Sequence, residues 1–188
     1  MGDVRSVPDS NPVALRPASI RGSTATACAL AALAIGLVIA QRPIRVFEAS
    51  ISALVLQGLS FGSSASVGSA VVFAESGRLV GFSLTLGCTA ALLLLPFFLI
   101  TAGLVASRRI PARRAAGSLA VATVVVLLVN QLRFLVVAVS MRVWGHETGY
   151  ERSHVFLGSM LSTAGLMAGV LVFVVGLAKD QGRTNVDG

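Results

Sequence analysis

Charge is scarce in this chain: acidic and basic side chains together make up 12% of its 188 residues, while 55% are hydrophobic. With a mean hydropathy of +0.85, that shortage excludes an ordinary soluble domain, in which about a quarter of the residues are charged. Cysteine is scarcer still. Cys28 and Cys88 are the only two, too few for a disulfide framework. The candidate ligands also lack the close paired spacing of a metal site, so no metal and no organic cofactor is expected. Acids are few, 8 against 15 lysines and arginines. In a soluble chain that excess would suggest nucleic acid. Here the arginines cluster at the ends of apolar runs, where they set topology, and no nucleic-acid partner is expected. There is no internal repeat and no low-complexity tract.

What the chain does have is long apolar runs. A membrane helix needs about 20 mostly apolar residues to cross roughly 30 Å of hydrocarbon. Four runs qualify: Ser23 to Ala40, Leu86 to Ala106, Ala115 to about Val139, and Val155 to Ala178. Only the third contains a charge, Arg133. Between the second and third lies "SRRIPARR", with Arg108, Arg109, Arg113 and Arg114, a short loop that the positive-inside rule places in the cytoplasm. The N-terminus with Arg5, Arg16 and Arg21 and the tail with Lys179 and Arg183 then lie inside as well. That puts nine basic residues inside against five outside, namely Arg42, Arg45, Arg78, Arg142 and Arg152. The first run could alternatively be a cleaved signal peptide, but its 18 apolar residues are long for a signal core, and it is read as retained.

The expected architecture is therefore an all-α integral membrane bundle of about four transmembrane helices, in a single membrane domain over residues 21–180. Residues 1–20, rich in proline and polar residues, read as a disordered cytoplasmic N-terminus. Residues 181–188 read as a cytoplasmic tail. From Ile44 to Leu59, Phe47, Ile51, Leu54, Val55 and Leu59 recur at helical intervals, with Glu48, Ser52 and Gln57 elsewhere around the wheel. This predicts a helix lying on the outer interface. "SAVVFAESGRLVGFSLT" then predicts a small β-hairpin that leads directly into the second crossing.

With directions assigned, reactive residues can be placed by depth. Cys88 is the third residue of a helix entering from outside. Arg133 lies 18 residues beyond Ala115, about 27 Å up a helix rising from the cytoplasm. His154 immediately precedes the fourth crossing. A thiol, a guanidinium and an imidazole are thus expected at one membrane level from three helices. The thiolate is the reactive form of cysteine and is favoured by a helix N-terminus or a nearby cation, the setting expected for Cys88. Histidine takes and returns a proton near neutral pH. Arginine keeps its charge and offers donors in a fixed fork, suited to a thiolate or an oxyanion. Asn130 stands three residues before Arg133, on the same helical face.

Each residue also has a plainer reading. Cys88 could be a small buried hydrophobe, Arg133 could snorkel to headgroups, and His154 could cap its helix. Asn130 with Arg133 could simply hydrogen-bond between helices. His146, Trp144 and Tyr150 fall in the loop before the last crossing, the two aromatics as interface anchors. Cys28, mid-helix with no polar company, reads as a packing residue.

A cysteine at the outer start of one membrane helix, "NQLR" (Asn130 to Arg133) near the outer end of the next, and the histidine of "HVFLG" (His154 to Gly158) opening the last resemble the core of the exosortase/archaeosortase family. The similarity covers about residues 70–165. The family consists of polytopic membrane cysteine transpeptidases. Their substrates are proteins that end in a short signature, a membrane helix and a basic cluster. The resemblance implies that Cys88 matches the nucleophile, Arg133 the arginine of an N-x-x-R motif, and His154 the third catalytic position, in a compact form of the enzyme. Where Ser-Gly commonly follows the family's cysteine, Thr89 and Ala90 follow it here.

The expected function is cleavage of C-terminal sorting signals of exported proteins at the outer face of the cytoplasmic membrane. Catalysis would rest on Cys88, Arg133 and His154 with support from Asn130, and membrane lipids and substrate proteins would be the partners. The rival expectation is a non-catalytic membrane assembly subunit that binds a partner helix or lipid. A transporter lined by Arg133 is weaker, because no broken-helix pair or midplane charge is present.

Overall fold

The computed structural model describes residues 20–59, 61–75 and 77–178. The expectations for residues 1–19 and for the tail from residue 179 lie outside them. The chain runs as α1 (Ile20–Ile39), α2 (Gln41–Gly58), β1 (Ser64–Val67), β2 (Ala70–Glu75), β3 (Arg78–Ser83), a 3₁₀ turn (Leu86–Cys88), α3 (Ala90–Ala106), α4 (Ala112–Trp144), α5 (His146–Glu151), a π-helical stretch (Arg152–Leu157) and α6 (Gly158–Ala178).

Three helices are long and apolar enough to cross a membrane: residues Gly22–Ile39 of α1, α4, and α6. The second predicted run, Leu86 to Ala106, behaves differently. Leu86–Cys88 form a separate 3₁₀ turn and Thr89 is extended, so the apolar helix α3 starts only at Ala90 and has 17 residues. At 1.5 Å per residue it spans about 25 Å, less than the hydrocarbon thickness. Cys88 consequently precedes this helix instead of lying on its third position. By contrast α4 is 33 residues long, about 50 Å, and overshoots the predicted crossing at both ends.

Helices α4 and α6 are the most extensively packed helix pair, and they run antiparallel. A Cβ built on Gly165 would fall 2.5 Å from Val129 Cγ1, one on Gly169 2.9 Å from Val126 Cγ2, and one on Gly176 2.7 Å from Ser118 Oγ. In lipid there is little hydrophobic gain in burying one apolar helix against another, so close approach through small residues supplies the attraction. The Gly165-x-x-x-Gly169 spacing within "GLMAG" is the sequence signal for this contact. Helix α1 lies against α3, also antiparallel, with Ser23 Oγ donating to Val105 O at 2.6 Å.

The predicted hairpin exists as β2–β3, with Glu75 opposite Arg78 and Val71 opposite Phe82. A third strand, β1, pairs antiparallel with β2 and makes a three-stranded sheet. Its sequence, SASV, has too little β-branched or aromatic character to announce a strand. On the inner face of the sheet Val71 and Phe73 are fully buried, and Phe73 meets Phe61 edge-on at 5.8 Å.

Helix α2 covers that face in an unexpected orientation. Its buried residues are Glu48, Ala49, Ser52, Ala53 and Leu56, while Phe47, Leu54, Val55 and Leu59 are exposed. The small and polar side packs inward because small side chains admit close approach of the sheet and of α4. The large apolar side chains are left to face outward, as suits a helix at a membrane boundary. The segment read as a loop after Trp144 is helical instead: Gly145, at φ 79°, turns the chain into α5, and the π-helical stretch continues into α6.

Two cores result. One gathers α2, the sheet, Cys88 and the upper part of α4 (Phe134, Val137, Ala138, Met141). The other gathers α1, α3, the lower part of α4 (Ala115 to Val126) and Phe173 of α6. They meet between Cys88 and Ala90 on one side and between Val126 and Phe134 on the other.

Candidate active site

At that seam the buried polar residues collect. Cys88 closes the 3₁₀ turn, its backbone N–H bonding Thr85 O at 3.0 Å and its sulfur 3.2 Å from Thr85 Oγ1. It is buried, at 3% exposure. Thr89 then caps α3, its hydroxyl accepting from Ala91 N at 3.3 Å. The thiol therefore stands just ahead of a helix N-terminus, where the peptide dipoles favour negative charge.

Arg133 reaches across from α4. Its Nη2 donates to Cys88 Sγ at 3.5 Å, while Nη1 donates to Ser162 Oγ on α6 at 2.9 Å and to Gly87 O at 3.4 Å. It is 7% exposed, so the guanidinium is held in the seam instead of snorkelling to headgroups. None of these partners is a carboxylate. A buried cation with no carboxylate among its described partners gains from any negative charge that forms beside it. Space for it depends on Gly158, since a Cβ there would meet Arg133 Nε at 2.9 Å and Ser153 O at 3.1 Å.

Asn130 is also buried, at 3% exposure, and shares a face with Arg133 as expected, but its described bond leads elsewhere. Its Nδ2 donates to Glu48 Oε1 at 3.5 Å, and the same oxygen accepts from Ala90 N at 2.9 Å. Glu48 thus ties α2 to the first turn of α3 and to α4. Among the described residues Glu48 Oε2 and Asn130 Oδ1 are buried without a partner. Both are acceptors, so the cluster favours a proton on Glu48. In agreement, burial pushes the Glu48 carboxyl above the ordinary carboxylate range, opposed by the Ala90 N–H, the Thr89 hydroxyl and Arg45. Beside it, Ser52 Oγ lies 2.8 Å from Gln131 Oε1.

Tyr150 on α5 also faces the pair. Burial pushes its phenol upward, the Cys88 sulfur adds in the same direction and Arg133 opposes. His154 belongs to the π-helical stretch Arg152–Leu157, one turn before Gly158. Its side chain lies outside the described residues, as does that of His146. Cys28, read as a packing residue, is exposed on α1.

The sequence reading therefore meets the structure at Cys88, Arg133 and Asn130. It missed Glu48, Ser162, Thr85 and Gly158. Glu48 had one available signal, being the only acid between Asp9 and Glu75, flanked by the small residues Ala49, Ser52 and Ala53. The hydroxyls and the glycine had none, because such residues are common in membrane helices. Two grooves, of about 670 and 570 Å³, run along α6 at Val175 and Gly176 and at Met167 and Val174. Their lining is mostly apolar, with Arg114 and Ser118 in the first, and neither includes Cys88 or Arg133. The seam, with its buried polar groups, has the chemistry of a site.

Fold and hydropathy together define a small helical membrane protein with a buried thiol–guanidinium contact. Comparison with protein-family models, curated proteins and solved structures finds no match.

Proposed function

We propose that this protein is a membrane-embedded cysteine peptidase/transpeptidase, similar to the exosortase/archaeosortase family, which cleaves C-terminal sorting signals of exported proteins at the outer face of the cytoplasmic membrane. The observation that carries this reading is the approach of the buried Arg133 guanidinium to Cys88 Sγ, with no carboxylate among its described partners. In the proposed reaction the sulfur attacks the scissile carbonyl carbon, and Arg133 stabilises the oxyanion of the tetrahedral intermediate. The C–N bond breaks, and His154 passes the thiol proton to the departing amine. Water or an acceptor amine then attacks the thioester, releasing an acid or a new amide and restoring the thiol. The substrate's own membrane helix confines its cleavage site to the height of the seam.

A second reading is a non-catalytic assembly subunit. It draws support from the same arginine, whose bonds to Gly87 O and Ser162 Oγ join α4 to α6 and to the turn before α3. Mass spectrometry separates the two. In cells carrying Cys88→Ser at normal abundance, proteins that end in a short motif, an apolar helix and a few arginines should keep intact C-termini, while the parent strain trims them. Identical C-termini in both strains would reject the enzyme and favour the subunit.

A further inference from the structure

We infer that Glu48 is a positioning residue for Cys88, holding the start of α3 through the Ala90 amide and thereby seating the thiol against Arg133. This rests on Cys88 being the reactive thiol.

The bond within the turn Leu86–Cys88, Cys88 N to Thr85 O, is local and does not tie it to another helix. Among the described residues, Arg133 ties its far side to α4, through Nη1 to Gly87 O at a long 3.4 Å and Nη2 to Cys88 Sγ at 3.5 Å, and Glu48 ties it to α2, through Oε1 accepting from Ala90 N at a good 2.9 Å. The Glu48 contact is the stronger, being short, fully buried and made at the first amide of a helix, where an orphan N–H needs an acceptor. Thr89 bonds the next amide, Ala91 N, so Glu48 and Thr89 satisfy the first two of the orphan donors of α3. The Glu48 oxygen that accepts from Ala90 also lies 3.5 Å from Asn130 Nδ2, on the helix that carries Arg133. The carboxyl therefore sets the spacing between the turn bearing the nucleophile and the helix bearing its cation. This also gives Asn130 a task distinct from touching the thiol: it orients Glu48.

The role requires an acceptor at a particular reach and not a charge. Glu48→Gln keeps the reach and an amide oxygen. Glu48→Asp keeps the carboxylate but is one methylene too short. Glu48→Met fills the volume with no comparable acceptor. In the full chain, in native membranes and a Cys28→Ser background, the rate at which N-ethylmaleimide alkylates Cys88 reports how firmly the buried thiol is seated and requires no substrate. Glu48→Asp and Glu48→Met should speed alkylation about tenfold or more by freeing the turn to open, while Glu48→Gln stays within about twofold of the parent. Equal rates for Gln and Asp, or an unchanged rate in Met, would overturn the proposal. So would loss of both Asp and Met variants from the membrane while Gln persists, since Glu48 would then hold the fold and not the thiol. Failure of the peptidase reading would show separately, as unaltered substrate processing in Cys88→Ser.

Discussion

Gly158 on α6 lies so close to Arg133 on α4 that a methyl group on its Cα would sit 2.9 Å from Nε and 3.3 Å from Nη2. The cheapest response to Gly158→Ala is for the long arginine side chain to move, and its guanidinium is the group that meets Cys88. Substrate processing should therefore fall about tenfold or more, part of the roughly 100-fold or greater cost of losing a donor at a developing charge outright, with abundance close to the parent's. Processing assays with quantitative immunoblotting check this; unchanged processing would mean that the guanidinium position is immaterial.

Arg133→Lys keeps the charge and loses the fork. One ammonium cannot reproduce the set of bonds to Sγ, Ser162 Oγ and Gly87 O. Processing should drop about 100-fold, at the lower end of the cost of deleting an oxyanion donor. Arg133→Met should do the same at similar abundance, because removing a buried cation also removes its desolvation cost.

Lower on the same interface the consequence is stability instead of chemistry. Gly165→Ala forces a Cβ against Val129 Cγ1 at 2.5 Å and Cβ at 2.9 Å. A branched side chain on a packed helix has no easy escape, so overpacking should cost about 1–3 kcal/mol. Unfolding in detergent would show the loss, with residual processing per folded molecule near that of the parent.

The buried carboxyl makes stability depend on pH. Burial raises the Glu48 pKa in the folded protein, so the folded state holds the proton more tightly than the unfolded chain. Its stabilising contribution is fully present below the ordinary carboxylate range and is lost as pH rises through the raised folded value. Relative to Glu48→Gln, the parent should gain thermal stability as pH falls from 7 towards that range. Parallel melting curves for the two proteins across those pH values would contradict this.

How much of the site could be read in advance depends on the kind of contact. Asn130 and Arg133 were legible because polar residues in an apolar run are expensive and usually face protein. Cys88 stood out for its reactive side chain but was misplaced in structure: hydropathy does not register that Thr85 to Thr89 form a 3₁₀ turn and a cap before the helix begins. Glu48 was counted with the wetted side of an amphipathic helix. Its inward orientation depends on the small residues Ala49, Ser52 and Ala53 fitting against the sheet and α4, which one-dimensional periodicity cannot distinguish from a water-facing side.

The linear order of apolar runs and β-prone segments determined the membrane character, three of the four expected crossing helices and the hairpin, because transfer of a segment into lipid is a local sum over its own residues. The tertiary structure alone decided which polar groups meet. Cys88 and Arg133 are 45 positions apart, and Glu48 and Asn130 are 82 apart. Contacts over such separations are set by how closely the helices approach, which here turns on single side chains such as Gly158 and Gly165.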